Sequence, residues 1–72
     1  STKKILASVK IGKKSVTLYE VIDISYENAE EGEAIITAGY HTTLKGPRSC
    51  KTVKYGTYVE CFEAFDKEVR NL

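Results

Sequence analysis

The amino-acid sequence predicts an α+β fold: a four-stranded antiparallel sheet, arranged as a meander, with one C-terminal helix packed on one face. Three observations lead to this fold class. Apolar and polar residues alternate through much of the chain before Gly56, with the period of half-buried strands. Gly12-Lys13 and Gly46-Pro47 interrupt the alternation with residue pairs that favour turns. From Tyr58 onward, apolar residues recur at the spacing of an amphipathic helix.

Length and composition limit the classes of protein to consider. The chain has 72 residues, enough for one hydrophobic core, so we interpret residues 1–72 as a single domain. Its net charge of +1 argues against a purely electrostatic binder of nucleic acid or membrane. No apolar run approaches the roughly 20 residues needed to span a bilayer. The two cysteines fit the reduced thiols of the cytosol, and we expect a cytoplasmic protein.

The first hairpin is the best-determined part of the predicted sheet. A strand is expected over residues 3–11, with four apolar residues on one face: Ile5, Ala7, Val9 and Ile11. Gly12-Lys13 suits a type II′ turn into a second strand. This turn places Val9 opposite Val16 and Ala7 opposite Leu18, so the turn and the apolar pattern give the same register.

Two longer strands follow, over residues 15–26 and 33–43. The core-facing residues expected in the second strand are Val16, Leu18, Ile22, Ile24 and Tyr26. Glu20 interrupts this set, which indicates either a bulge or a position at the sheet edge. The core-facing residues expected in the third strand are Ala34, Ile36, Ala38 and Tyr40.

A short fourth strand over residues 50–55 and a helix over residues 58–71 complete the chain. We place Val53 and Tyr55 on the core side because they are the apolar members of that strand. Thr57 and Glu60 have the spacing of a capping box at the start of the helix. The helix is expected to bury one stripe: Tyr58, Cys61, Phe62, Phe65, Val69 and Leu72.

The residue pattern favours a binding protein over an enzyme. His41 is the single histidine, and a His41–Cys50 pair shared between subunits is the one catalytic hypothesis worth weighing, as the least favoured. The chain lacks the close Cys/His pairs of a zinc site and the oxygen-ligand spacing of an EF-hand. We therefore predict no catalytic residues, no metal site and no cofactor.

One helix covers one face of the sheet and leaves the other face open. Bases, hydroxyls and an exposed aromatic ring on that face are what a sheet-type reader of nucleic acid uses. The first hypothesis is therefore a nucleic-acid-binding accessory or regulatory protein. Its predicted binding residues are Lys10, Tyr19, His41, Lys45, Arg48 and Lys54.

The alternative hypothesis is a protein–protein interaction module or inhibitor. An apolar patch on the open face would dock a protein, or a second copy of the chain to give a homodimer. The residues of this patch are Leu6, Tyr19, Val21 and Ile35. The acidic loop at 27–33 could instead contact a basic partner. Surface composition alone leaves these possibilities open.

Three segments of the second half of the chain form a recognisable series: GYHTTLKGP at 39–47, KTVKYGT at 51–57 and EAFDKEV at 63–69. Together they resemble a WGR domain. The resemblance implies antiparallel strands with a glycine-containing hairpin, a basic strand, a capped helix and an association with nucleic acid. Gly39-Tyr40-His41 stands in place of the Trp-Gly-Arg triplet, so no residue's role is transferred. The order of elements is also similar to that of single-stranded-DNA-binding transcriptional coactivators, which is a likeness of architecture alone.

Overall fold

Four antiparallel strands pair in chain order, and one helix follows them. A computed structural model describes residues 2–28 and 33–72, with side chains described for residues 2–24 and 36–72. The elements are β1 (Thr2–Ile11), β2 (Lys14–Asn28), β3 (Glu33–Lys45), β4 (Cys50–Gly56) and α1 (Tyr58–Arg70). The predicted fold class, an α+β meander with one C-terminal helix, is confirmed.

The β1–β2 hairpin has the predicted register. Gly12 has a φ of 61° and no described non-glycine residue has a positive φ, which fits a type II′ turn with its left-handed residue first. Val9 pairs with Val16 and Ala7 pairs with Leu18. The turn and the apolar alternation therefore select the same pairing.

The core lies between α1 and the middle of the sheet, where the helix contacts β2, β3 and β4. Val16, Leu18 and Cys61 are almost completely buried there. The Thr42 hydroxyl, also buried, donates a hydrogen bond of 2.6 Å to the carbonyl oxygen of Cys61. The Cys61 thiol donates to the carbonyl oxygen of Tyr40 at 3.2 Å. These two bonds satisfy polar groups that would otherwise be costly to bury.

The start of α1 is fixed by the predicted capping box. Thr57 Oγ1 accepts a hydrogen bond from the Glu60 backbone N–H at 3.3 Å, and its hydroxyl lies 3.0 Å from the Glu60 carboxylate. Hydrogen bonds from the Thr57 side chain and from Lys54, and then the Thr57 backbone N–H, lower the pKa of Glu60. The carboxylate thus ties the helix N-terminus to β4.

A bulge in β1 changes the face on which one predicted core residue lies. Leu6 is an extra residue between the Ile5–Tyr19 and Ala7–Leu18 pairs. Ile5 therefore shares a face with Tyr19 rather than with Ala7, and it is 62% exposed. The prediction that Ile5 belongs to the core face was wrong, because one inserted residue reverses the alternation beyond it.

A second bulge, in β4, makes the predicted orientation of Tyr55 wrong. Thr43 pairs with Thr52, but the neighbouring Thr42 pairs with Lys54, so Val53 is the extra residue. Tyr55 consequently lies beside His41 on the open face and is 63% exposed.

Glu20 lies neither at a sheet edge nor at a bulge of its own strand. Both sequence-based explanations of Glu20 were therefore wrong. It occupies the interior strand β2 and pairs with Lys4 on one side and Tyr40 on the other. Opposite charges on directly paired residues of neighbouring strands attract each other, and Lys4 is such a neighbour of Glu20.

The helix is too short to cover the whole sheet. Its 13 residues extend about 20 Å, whereas the 15 residues of β2 extend about 50 Å. Ile24 and Ile36 pair on the helix side beyond its N-terminus, and both are more than half exposed. Tyr58 and Phe62, expected in the buried stripe, also keep nearly half of their surface. The predicted core positions Tyr26 and Ala34 lie outside the described side chains.

Candidate nucleic-acid interface

Strand pairing aligns the residues of the open face in rows that cross the sheet. The row nearest its centre contains one residue from each strand, in the order Ile5, Tyr19, His41 and Tyr55. Neighbouring strands lie about 4.8 Å apart, so the three rings of this row follow one another over about 10 Å. We call Tyr19, His41 and Tyr55 the aromatic row.

Two rings of the aromatic row contact each other, and the third, Tyr19, contacts a lysine. The His41 and Tyr55 rings lie 4.4 Å apart between centroids, edge to face at 73°. The ammonium nitrogen of Lys3 lies 5.8 Å from the centroid of the Tyr19 ring, within the range of a cation–π contact. Tyr19 and His41 are half-buried, while Tyr55 is largely exposed. The arrangement holds the rings in place and leaves surface for a flat ligand to stack on.

A second row, one step along the strands, consists of hydroxyl residues. Its members are Ser8, Thr17, Thr43 and Thr52. The Ser8 and Thr17 hydroxyl oxygens lie 3.1 Å apart in a hydrogen bond, and Thr17 is buried. The half-buried Thr43 and Thr52 offer donors and acceptors beside the aromatic row.

Lysines lie on both sides of these two rows. Lys3 pairs with Val21 beyond the aromatic row, and Lys10 and Lys45 both pair with Ser15 beyond the hydroxyl row. Among the residues whose side chains are described, the acidic residue on this face is Asp23, two rows from Tyr19. The part of the open face around the aromatic row is therefore locally positive.

Four of the six predicted binding residues lie on the open face: Lys10, Tyr19, His41 and Lys45. Arg48 is exposed in the turn between β3 and β4, at one end of the sheet. The placement of Lys54 on the open face was wrong. The bulge at Val53 turns Lys54 toward the helix side, where its ammonium group lies 3.5 Å from the Glu60 carboxylate.

Sequence reasoning missed Tyr55, the most exposed ring of the aromatic row. If β3 and β4 are paired from the turn at 46–49 without a bulge, Val53 pairs with Thr42 and the Tyr55 side chain faces the helix. The bulge moves the register by one residue. The sequence of β4 contains no glycine at the bulge that could have signalled it.

Within one chain, His41 and Cys50 are not brought together, and a site shared between subunits stays a prediction. Cys50 pairs with Lys45, four residues along β3 from His41, which corresponds to about 13 Å. Both cysteines are free thiols, and burial raises the pKa of Cys61. Within residues 2–28 and 33–72, no cluster of three or more His, Cys, Asp or Glu side chains could hold a metal ion.

The described part of the chain contains no helix long and apolar enough to cross a membrane. Residues 29–32 of the acidic loop, and the side chains of residues 27–33, lie outside the described part of the chain. The loop hypothesis therefore stays a prediction.

The chain matches no protein-family model, no curated protein sequence and no solved structure at a significant level. The resemblance to WGR domains likewise stays a prediction. The open face is therefore the feature of this chain that bears on its function.

Proposed function

We propose that the protein binds single-stranded nucleic acid on the open face of its sheet. The observation that carries the proposal is the aromatic row, in which pairing brings Tyr19, His41 and Tyr55 side by side on three neighbouring strands. Exposed rings on a sheet stack with nucleic-acid bases, and each stacked base contributes about 1–3 kcal/mol. Successive bases of one strand would occupy successive rings.

Single strands fit this surface better than duplexes. Stacking on a side chain requires a base whose flat face is free, and in a duplex those faces are already stacked on neighbouring bases. The hydroxyl row beside the rings can hydrogen-bond the base edges or sugars of such a strand. Duplex binding would instead depend on phosphate contacts, for which a net charge of +1 offers little support.

Lys3, Lys10 and Lys45 are the residues proposed to contact phosphates. Three such contacts predict a modest salt dependence, with a slope of log affinity against log salt of about −2 for a single strand. A larger part of the affinity would come from stacking, which salt weakens much less.

The experiment that tests the proposal is a fluorescence-anisotropy titration against labelled single-stranded and duplex DNA and RNA at two salt concentrations. We expect single strands of either sugar type to bind more tightly than the matching duplex, with the shallow salt slope given above. The absence of binding to every oligonucleotide at low salt, where non-specific contacts are strongest, would refute the proposal.

Tyr55→Ala tests the stacking contact, and Tyr58→Ala is its matched control. Both are exposed tyrosines, but Tyr58 lies on the helix side, where its ring contacts Tyr40. Tyr55→Ala should weaken single-strand binding by about 5- to 150-fold, while Tyr58→Ala should leave it unchanged. Equal losses in the two variants would place the binding surface elsewhere.

A protein-interaction module on the same face is the second candidate. Ile5 favours it, because its side chain is exposed next to Tyr19. Val21, a member of the apolar patch expected for that role, is only 8% exposed and contributes little to it, while Ile35 lies outside the described side chains. Failure of every oligonucleotide to bind, together with capture of a protein that Ile5→Asp abolishes, would favour this candidate.

A further inference from the structure

Large apolar side chains are exposed on the helix side of the sheet, away from the aromatic row. They lie at the first turns of α1 and on the part of the β2–β3 hairpin that the helix does not reach. We call this set the helix-side surface: Ile24, Ile36, Tyr58, Val59 and Phe62. All are between 46% and 67% exposed.

The helix-side surface is continuous. Ile24 pairs with Ile36, and Ala38 lies between Ile36 and Tyr40 on the same face of β3. The Tyr40 and Tyr58 rings lie 5.4 Å apart, and Tyr58 stacks on Phe62 at 5.9 Å. An apolar strip therefore runs from the uncovered hairpin onto the helix, and contiguous apolar strips of this kind mark interfaces.

The chain exposes more surface than a compact monomer of its mass would. A compact monomer of 8.0 kDa is expected to expose about 4,450 Å², whereas this chain exposes 5492 Å². The excess of about 1,000 Å² is distributed over an elongated chain of 50 × 25 × 15 Å, and it is large enough to accommodate the roughly 800 Å² that each partner contributes to a standard interface. The radius of gyration, 14.9 Å, also exceeds the about 11 Å expected for 72 residues.

We propose that the helix-side surface is the interface of a homodimer. On each chain, a raised helix about 20 Å long lies next to a stretch of the β2–β3 hairpin that it leaves bare. A two-fold axis between them would place the first turns of each helix on the Ile24–Ile36 pair of the other chain. Such self-complementary contact is what a closed dimer requires.

The charges of the surrounding surface are compatible with pairing two copies. From its middle to its C-terminal end, α1 carries Glu63, Asp66 and Arg70 away from the core, and Asp66 and Arg70 form an ion pair of 2.8 Å. These residues would form the polar rim around an apolar centre, the usual organisation of an interface. With a net charge of +1, two copies do not repel each other strongly. The two open faces point outward from this dimer, so the inference does not depend on the proposed function.

Sedimentation equilibrium over a range of micromolar concentrations tests the proposal. We expect a species of twice the 8.0 kDa chain mass. Ile36→Asp should raise the dimer dissociation constant by about 30-fold or more, since it places a charge at the centre of the interface. Phe62→Glu, a second variant on a different element, should do the same. The matched control is Ile5→Asp, an equally exposed isoleucine on the open face, which should leave the dissociation constant unchanged.

Circular dichroism of each variant confirms that it remains folded, as expected for substitutions at exposed positions. A chain that stays monomeric at every concentration would overturn the proposal. So would a dimer that resists both Ile36→Asp and Phe62→Glu, since it would have to form through a strand edge or the open face. Dissociation by Ile5→Asp alone would place the interface on the open face and would equally overturn it.

Discussion

The two faces of the sheet have similar residue types and opposite surroundings. On the covered face, Val16 and Leu18 have 0% and 1% of their surface exposed, whereas Ile5 and Tyr55 on the open face keep more than 60%. Both faces contain aliphatic, aromatic and β-branched side chains, so hydrophobicity alone does not distinguish them. Residues under the helix are buried, and two bulges determine which side chains face it. On the open face, Val21 is nevertheless only 8% exposed.

Thr42 and Thr43 show the contrast in adjacent residues of β3. Thr42 lies under α1 and donates a hydrogen bond to the Cys61 carbonyl oxygen. Thr43 is in the hydroxyl row of the open face. Covered positions are therefore expected to control stability, and open positions to control binding. The predictions below test that division, beginning with the largest expected effect.

Leu18→Ala should destabilise the protein by about 2–5 kcal/mol, because it removes buried methyl groups and leaves a cavity beneath the helix. Ile5→Ala deletes a similar amount of side chain from the open face and should cost no more than about 0.5 kcal/mol. Urea denaturation of the two variants measures the contrast. Similar losses in both would mean that α1 does not seal a core over β2.

Thr42→Val should cost about 1–2 kcal/mol, since it keeps the shape of the side chain but removes the donor to a buried carbonyl. Thr43→Val, the matched control on the neighbouring residue, should change stability by less than about 0.5 kcal/mol. Equilibrium unfolding measures both, and oligonucleotide titration should show the reverse order of effects. A Thr42→Val protein as stable as the parent would argue against the bond to Cys61.

Much of the fold could be predicted because local signals agree with one another. Gly12 fixes the turn whose register also aligns Val16 with Val9, and the structure has that register. Thr57 and Glu60 give the start of α1 in the sequence, and their side chains form the expected cap. Where turn chemistry, capping and apolar period indicate the same structure, the sequence determines it.

The part of the site that could not be predicted depends on the bulges. Leu6 and Val53 are ordinary strand residues, and nothing in their neighbourhood requires an insertion at those points. Each nevertheless reverses the face on which the strand residues beyond it, counted from the hairpin turn, place their side chains. Ile5 and Tyr55 therefore lie on the open face, and Lys54 does not. Tyr55 is also an aromatic residue, a type that is common in cores. Sheet register here is a long-range property, set by the pairing of whole strands.

Lys10→Gln should reduce the salt dependence of single-strand binding, lowering the magnitude of the slope by about 0.7 as one phosphate contact is lost. The matched control is Lys54→Gln. Lys54 lies on the helix side and pairs with Glu60, so the slope should not change. Titrations at several salt concentrations distinguish the two. An effect of Lys54→Gln as large as that of Lys10→Gln would mean that phosphates bind on both sides of the sheet.

The smallest expected effect is a pH-dependent one at the helix cap. The pKa of Glu60 lies below its ordinary value of 4.5, mainly because of the hydrogen bond from Thr57. The carboxylate therefore stabilises the folded state fully above that ordinary value, and the contribution is lost as the pH falls through the lower folded-state pKa. Glu60→Gln should lower the melting temperature slightly at neutral pH, and the difference from the parent should shrink in acid.

Glu63→Gln is the matched control, because it removes a carboxylate from the same helix without affecting the bonds to Thr57. Melting curves from neutral pH to below pH 4 separate the two variants. If both variants melt at a lower temperature than the parent at neutral pH, the decrease reflects the general interaction of carboxylates with the charges and dipole of the helix. Only a decrease in melting temperature that is specific to Glu60→Gln and disappears in acid supports the cap. A decrease that persists at low pH would show that packing, rather than the ionised carboxylate, stabilises this end of the covered face.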